Sequence, residues 1–429
     1  MAGARPAKSD PVDPSRKNRA EEVIARCRKL SVFSEDTNGL RRTFLSPPMR
    51  EVHKEFARWM EALGVQVRVD AVGNIRGFYP AADANAPRLL IGSHLDTVPN
   101  AGAFDGILGV VLGIALLEEL HPKRLPFGIE VAGFSEEEGV RFGKPFIGSR
   151  ALVGRLDEEL LSAVDGQGIR VRDAIQKFGL DPAEIPNAKL SDDTLAYLEF
   201  HIEQGPVLEK LGKSLAAVEG IAGQSRIEVI FFGRANHAGT TPMNLRHDAL
   251  AGAAEWIGAV ERSACETAGL VATVGKIEAK PGATNVIAGE ARLSLDVRHG
   301  SDAIRAQAVE ELLGNAEQIA QQRRLFVRTA ALLEQRAVAM NSFLVGEIER
   351  AIAKAGCEPH RMVSGAGHDA MILAEKVPSA MIFLRTPGGI SHDPAESVAV
   401  EDVEKAIACG VKLLEQLAAS PEFCKRAAT

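Results

Sequence analysis

The sequence predicts an α/β protein: a domain on a mostly parallel sheet with helices on both faces, interrupted by an inserted α+β domain. Three observations predict it. Residues 88–92 and 127–134 are apolar stretches, apart from Arg88 and Glu130, around a helical stretch over 107–120, and strands apolar on both faces belong to buried parallel sheets. After His201 the pattern changes to alternating strands and amphipathic helices. From about residue 337 the α/β pattern returns, so the first domain is discontinuous, over 1–212 and 331–429, with the insert at 213–330.

Taken in order, the polar first twenty residues read as unstructured. Asp13-Pro14 has the form of an N-cap with a first-turn proline ahead of a helix over 19–30. A second helix is expected over 48–63. Alternation over 65–69 and 75–79, around the turn Ala71-Val72-Gly73-Asn74, predicts a hairpin. A strand is expected over 195–200. In the insert, 216–233, 270–277 and 291–298 read as strands and 246–264 and 302–323 as helices. The returning pattern is a helix over 341–355, a loop over 364–369, a short helix to 374, a strand over 379–384 and a helix from 400.

Bulk properties narrow the function. A chain of 429 residues with 46% hydrophobic and 25% charged residues has the average composition of a globular protein of two or three domains. The longest apolar run, over 107–117, falls well short of the ~20 residues of a membrane span. No apolar leader opens the sequence, and five scattered cysteines lack any CxxC pair, which together predict a cytoplasmic location with reduced thiols. A net charge of −7 without a basic block excludes nucleic acid and anionic membrane as partners.

Four polar clusters follow predicted strands or loops, where an open parallel sheet forms its ligand crevice. The first holds His94 and Asp96, with Asp105-Gly106 eleven residues on; Asp96 is placed to orient the imidazole, and Asp105 reads either as a ligand or as a helix N-cap. The second is Ser135-Glu136-Glu137-Glu138-Gly139. Three consecutive carboxylates usually mark a solvated loop, but here they end an apolar strand, where a cation relieves their repulsion and one glutamate is free to carry protons. The third is His201-Ile202-Glu203-Gln204 and the fourth Ile390-Ser391-His392-Asp393. Three imidazoles with two or three carboxylates and no thiolate suit zinc or manganese with positions open to water. The stretch Gly365-Ala366-Gly367-His368-Asp369-Ala370 matches G-x-G-x-x-A formally, but no acidic residue lies about twenty positions beyond it, so nucleotide binding is excluded. With no G-x-S-x-G elbow, no P-loop and no patterned cysteine, activated water is the expected nucleophile.

Seven motifs then carry a resemblance. GSHLDTVPNAGAFDG, SEEEGVRF, HIEQGPVLE, ANHAGTTPM, TNVIAGEARLSLDVRH, SGAGHDA and GISHDPAE, in that order from about residue 20 to 417, resemble peptidase family M20. The likeness is to its amidohydrolase branch of allantoate amidohydrolases, N-carbamoyl-L-amino acid hydrolases and β-ureidopropionases. The resemblance implies two divalent cations, zinc or manganese with cobalt as an alternative, bridged by Asp105. His94 and His201 complete one site, Glu138 and His392 the other, and Glu137 is the general base. It also implies that the insert is a lid and homodimer interface. Arg298 and Asn285 would hold a substrate carboxylate, Gln204 and His368 would line the pocket, and His237 would reach the partner subunit's active site. His201 stands where the wider family has an acidic residue, and Asp393 replaces the branch's more usual asparagine beside the ligand histidine. The implied reaction is hydrolysis of a ureido C–N bond in a small carboxylate, releasing ammonia and CO2. Allantoate comes first and N-carbamoyl-L-amino acids or β-ureidopropionate second; an aminoacylase, a dipeptidase and a non-catalytic metal-binding protein are the rivals.

Overall fold

The computed structural model describes residues 14–425. The unstructured start and the Asp13 cap expected above lie outside them. The first helix, α1, covers Pro14–Ser31, and α2 covers Pro47–Glu61 with Ser46 at its N-cap and prolines in its first turn, where a missing N–H costs nothing. Strands β1 (Gln66–Val69) and β2 (Ile75–Tyr79) form the expected hairpin, and the Asp70 carboxylate accepts from the backbone N–H groups of Val72 and Asn74 to hold its turn. Then follow β3 (Arg88–His94), α3 (Ile107–Leu120), β4 (Gly128–Phe134), β5 (Thr194–Ile202) and β6 (Leu215–Ile221). The second composition contains β7 (Gly223–Phe232), α4 (Ala249–Glu266), β8 (Val271–Lys280), β9 (Glu290–His299), α5 (Asp302–Gln322) and β10 (Phe326–Gln335). The chain ends with α6 (Ser342–Lys354), α7 (Asp369–Leu373), β11 (Ser379–Leu384) and α8 (Val400–Ala419).

Two compact units result. Among the described residues one comprises 14–219, Met340–Met362 and 367–425, the other Gly220–Ala339 and Val363–Ala366. The second therefore starts and ends later than the expected 213–330. Residues 215–218 of β6 pair with β11 in the first unit's sheet, and β10 pairs along β7, which keeps residues 326–335 with the second unit.

Seven strands of the nine-stranded sheet run in the order β6-β11-β5-β3-β4-β2-β1. Of these seven, the central four, β11, β5, β3 and β4, are mutually parallel; β6 is antiparallel to β11, and β2 and β1 are antiparallel to their neighbours. The sheet is therefore mixed rather than mostly parallel; the β1–β2 pair is antiparallel because a short hairpin can join only antiparallel strands. Helix α3 is buried almost all round, from Ile107 to Leu117, which is why its apolar run shows no polar stripe. It sits on the face that carries Ile91 and Val131, and Met60 of α2 covers Gly77 on that same face. Arg76, Phe78 and Glu130 point to the other face.

In the second unit the sheet order is β8-β9-β7-β10, all antiparallel. Helices α4 and α5 pack on it, and Trp256, Phe231, Leu293 and Leu312 fill the core between. The Trp256 indole donates to the Leu312 carbonyl at 2.8 Å, which satisfies its one polar atom. Among the described residues no helix is long and apolar enough to cross a membrane, and all five cysteines are free.

Candidate active site

The carboxyl ends of the parallel strands bring the predicted clusters together in the first unit. His94 ends β3, His201 lies one residue before the end of β5, and Glu137 and Glu138 follow β4. Asp105 sits at their centre. Its Oδ1 lies 3.1 Å from His201 Nε2 and 3.6 Å from His94 Nε2, and its Oδ2 lies 3.2 Å from His392 Nε2. His392 Nε2 is also 3.6 Å from Glu138 Oε1. Two potential metal-binding triads, His94/Asp105/His201 and Asp105/Glu138/His392, thus share one carboxylate, and His94/Glu137/Glu138 forms a third group beside them.

The chemistry of the donors fits cations. His94 Nδ1 lies 3.0 Å from the Asp96 carbonyl and His201 Nδ1 lies 2.9 Å from that of Ile202. A carbonyl only accepts, so each Nδ1 carries the proton and each Nε2 turns a lone pair toward Asp105. Buried lone pairs facing a carboxylate repel unless a positive charge lies between them. His201 Nε2 and Asp105 Oδ1 are indeed both buried without a hydrogen-bond partner. Without a cation, protons on the Nε2 atoms take its place: burial alone would raise the Asp105 carboxyl, but the three imidazoles, donating to it in that form, hold it well below the usual carboxylate range.

Gly106 makes this approach workable. Its φ is +69°, and a Cβ there would lie 2.4 Å from the His94 ring. Gly106, not Asp105, is the residue that precedes α3, which removes the N-cap reading of Asp105. Left-handed backbone recurs in the surrounding loops at Glu136, Gln204 and His392 (φ 55°, 58° and 57°). Such conformations cost about 1–3 kcal/mol each and concentrate where side chains must be aimed.

The three glutamates divide. Glu136 turns inward: its carboxylate accepts from the backbone N–H of Phe44 (2.8 Å) and of Arg141 (2.9 Å), and burial, then the Asp96 charge, push it up to about 8. Glu137 is also raised well above the usual range, chiefly by burial, and Glu138 reaches about 7 through burial and the Asp105 charge. Asp96 differs from expectation. Its carboxylate accepts from the backbone N–H groups of Glu137 and Glu138 at 2.9 and 3.0 Å and lies 3.6 Å from His94 Nδ1, so it positions the glutamate loop while its carbonyl, not its carboxylate, takes the imidazole hydrogen bond.

Gln204 donates through Nε2 to Asp105 Oδ2 at 2.9 Å. His368 is buried and packs edge-on against His201, with ring centroids 4.5 Å apart. His237, Asn285 and Arg298 belong to the second unit. There His237 is exposed and lies across from Val286 in a short strand pair, and the Asn285 carbonyl accepts from Ala238 N–H. Arg298 is held by both oxygens of Asp296 (2.8 and 3.0 Å) and by the Gly365 carbonyl.

Sequence reasoning missed Glu396. Its Oε1 accepts from the backbone N–H of Phe104 (2.8 Å) and Asp105 (3.0 Å), and its Oε2 lies 3.3 Å from Ser391 Oγ, so it ties the Asp105 loop to the His392 loop. The only signal was its place at the end of GISHDPAE.

These protonation states set a pH dependence. Glu138 and Glu396 rise from 4.5 to about 7, each chiefly through burial and then the charge of Asp105, so the folded chain holds their protons more tightly than the unfolded one. Their contribution to the stability of the cation-free protein is full below about 4.5 and is lost as pH rises through about 7. A cation held by Glu138 would compete with its proton and offset the Asp105 charge that raises both groups. The rise in melting temperature on adding zinc or manganese to chelator-treated protein is therefore expected to be larger at pH 8 than at pH 6; an equal or smaller rise at pH 8 argues against cation binding at this cluster.

An acid–imidazole cluster gathered on a shared carboxylate, at the carboxyl edge of parallel strands and beside a buried glutamate, defines an α/β protein with a cluster that could hold metal ions. The chain belongs to peptidase family M20/M25/M40, matched over residues 90–416. It is 37% identical to allantoate deiminase 2 of Glycine max over 92% of this chain and 89% of that one. It is 38% identical to the N-carbamoyl-L-amino acid amidohydrolase of Geobacillus stearothermophilus over 86% and 91%. A crystal structure of a hydantoinase/carbamoylase-family amidase from Burkholderia multivorans superposes with a TM-score of 0.88 at 30% identity, covering 94% of this chain and 98% of that one.

Proposed function

We propose that this protein is an amidohydrolase that cleaves a ureido C–N bond in a small carboxylate. Allantoate is the first candidate substrate and an N-carbamoyl-L-amino acid the second. The observation that carries this reading is the pair of triads sharing Asp105 with Glu137 alongside. In it, His94, Asp105 and His201 hold one divalent cation, and Asp105, Glu138 and His392 a second, zinc or manganese suiting the donors. Bound cations would supply Lewis acidity, lowering the pKa of a water and polarising the ureido carbonyl.

Glu137 takes the proton of the attacking water and returns it to the departing nitrogen, a task suited to a buried carboxylate with high proton affinity. Ammonia leaves, and the carbamate left on the substrate loses CO2. Gln204 and His368 line the pocket. Asp296 and Gly365 fix the Arg298 guanidinium yet leave one N–H on each terminal nitrogen, a fork for the substrate carboxylate, which the Asn285 amide would also bind. The Nδ1 of His237 accepts from Gly239 N–H at 3.1 Å, so the neutral ring carries its proton on the exposed Nε2, ready to donate to a developing oxyanion. We read the second unit as a lid and homodimer interface, with His237 serving the partner's site. Free thiols fit a reducing compartment, the cytoplasm.

Ammonia release from allantoate, N-carbamoyl-L-amino acids and β-ureidopropionate, measured side by side, tests the reading. Chelation should abolish it and zinc, manganese or cobalt restore it. Full activity in metal-free protein, or no ammonia from any of these ureido compounds, overturns it.

A further inference from the structure

A second cluster of charge lies on the first unit's sheet, at the other ends of the strands that carry the cation centre. Arg88 opens β3, whose last residue is His94, and Glu130 is near the start of β4, which leads to Glu137. Arg68 lies directly across from Arg76 and Phe78 across from Glu130, so Arg68, Arg76, Phe78 and Glu130 share the face that α2 and α3 do not cover. A cleft of about 600 Å³ opens there, lined by these residues, Arg88 and Glu61.

The buried Glu130 carboxylate faces three guanidiniums, one of which, Arg88, also pairs with Asp193. Glu130 accepts from Arg76 Nε at 2.7 Å, but Arg68 Nη2 and Arg88 Nη1 stand 3.8 and 3.6 Å away, beyond hydrogen-bond reach. Arg76 Nη1 donates to the Ala188 carbonyl, and its Nη2 is enclosed with no acceptor at all. The Arg88 guanidinium carbon lies over the Phe78 ring, 4.6 Å from its centre, with Nε and Nη2 on Asp193, which leaves Nη1 toward Glu130. The Arg68 side chain is 55% exposed and has only the distant Glu130 as a partner. Burial, and next the Arg76 charge, lower its pKa, the mark of positive charge incompletely compensated.

We propose that this cleft is a binding site for a small oxyanion, a phosphate or carboxylate group, held by the free N–H donors of Arg68 and Arg88 in the field of Arg76. Guanidinium forks match both oxyanions, and bonds between full charges are the stronger kind. The site is distinct from the cation centre.

Calorimetric titration of the metal-loaded protein with inorganic phosphate and, separately, with succinate tests the proposal. Arg68→Ala is on the exposed rim and Arg88→Gln on a different strand, so loss of fold in one leaves the other informative; circular dichroism checks both. Either substitution should weaken the bound anion by about tenfold or more, the effect of removing one charge-assisted bond. Loss confined to phosphate identifies a phosphate-bearing ligand, and loss confined to succinate a carboxylate. If neither anion binds the wild type, or both bind the folded variants as tightly as the wild type, there is no oxyanion site in this cleft.

Discussion

Glu137→Gln is expected to keep its cations and lose about 10²–10⁴-fold in turnover, the usual contribution of a general base. The amide is nearly isosteric with the carboxylate, and the backbone N–H of Glu137 still donates to Asp96, so the loop should hold its shape. An amide, however, cannot accept the proton of an attacking water at neutral pH. Glu138→Gln should behave differently, because Glu138 lies with Asp105 and His392 in one triad: metal content, measured by elemental analysis, should fall along with turnover. If metal is lost with Glu137→Gln and kept with Glu138→Gln, their roles are interchanged.

Mixing inactive His237→Ala with inactive Glu137→Gln should regenerate activity once subunits exchange. The proposal that His237 serves the partner's site requires this: in a heterodimer, the chain that retains Glu137 faces the partner chain that retains His237. Random pairing at equal amounts makes half the dimers hetero, each with one complete site, so recovery should approach about a quarter of the wild-type rate. His237 is well suited to act on another chain. It is exposed, its backbone is pinned by the short pairing with Val286, and Gly239 N–H fixes which ring nitrogen can donate. No recovery, with exchange verified by mass, places His237 outside the partner's site. Recovery without any dimer in solution would require another explanation and is equally decisive against the scheme.

Much of the molecule was legible in local pattern. The apolar runs that became β3, α3, β4, β5 and β11, and the return of that pattern after an insert, are properties of short windows, because burial on two faces leaves few polar positions within a strand or helix. The clusters that hold His94, Glu138 and His201, at the ends of strands, were visible for a related reason, whereas Asp105 and His392 stand in loops further on and took their assignment from the resemblance. Polar residues that directly follow buried strands have only the sheet's carboxyl edge to occupy.

Tertiary structure decided what pairing over long separations controls. Strand direction was one such matter: only four neighbouring strands are parallel, and the limit of the second unit moved because β10 found its hydrogen bonds on β7. Another was which carboxylate in a run of three faces the cluster, since Glu136 is turned away by the N–H groups of Phe44 and Arg141. Glu396 reaches the Asp105 N–H across 291 positions of chain, and Asp96 spends both oxygens on the Glu137 and Glu138 backbone. A sequence determines which groups must be buried or charged; which donor each buried oxygen finds depends on the packed chain, where every backbone N–H taken from water must be satisfied by whatever acceptor the fold places within reach.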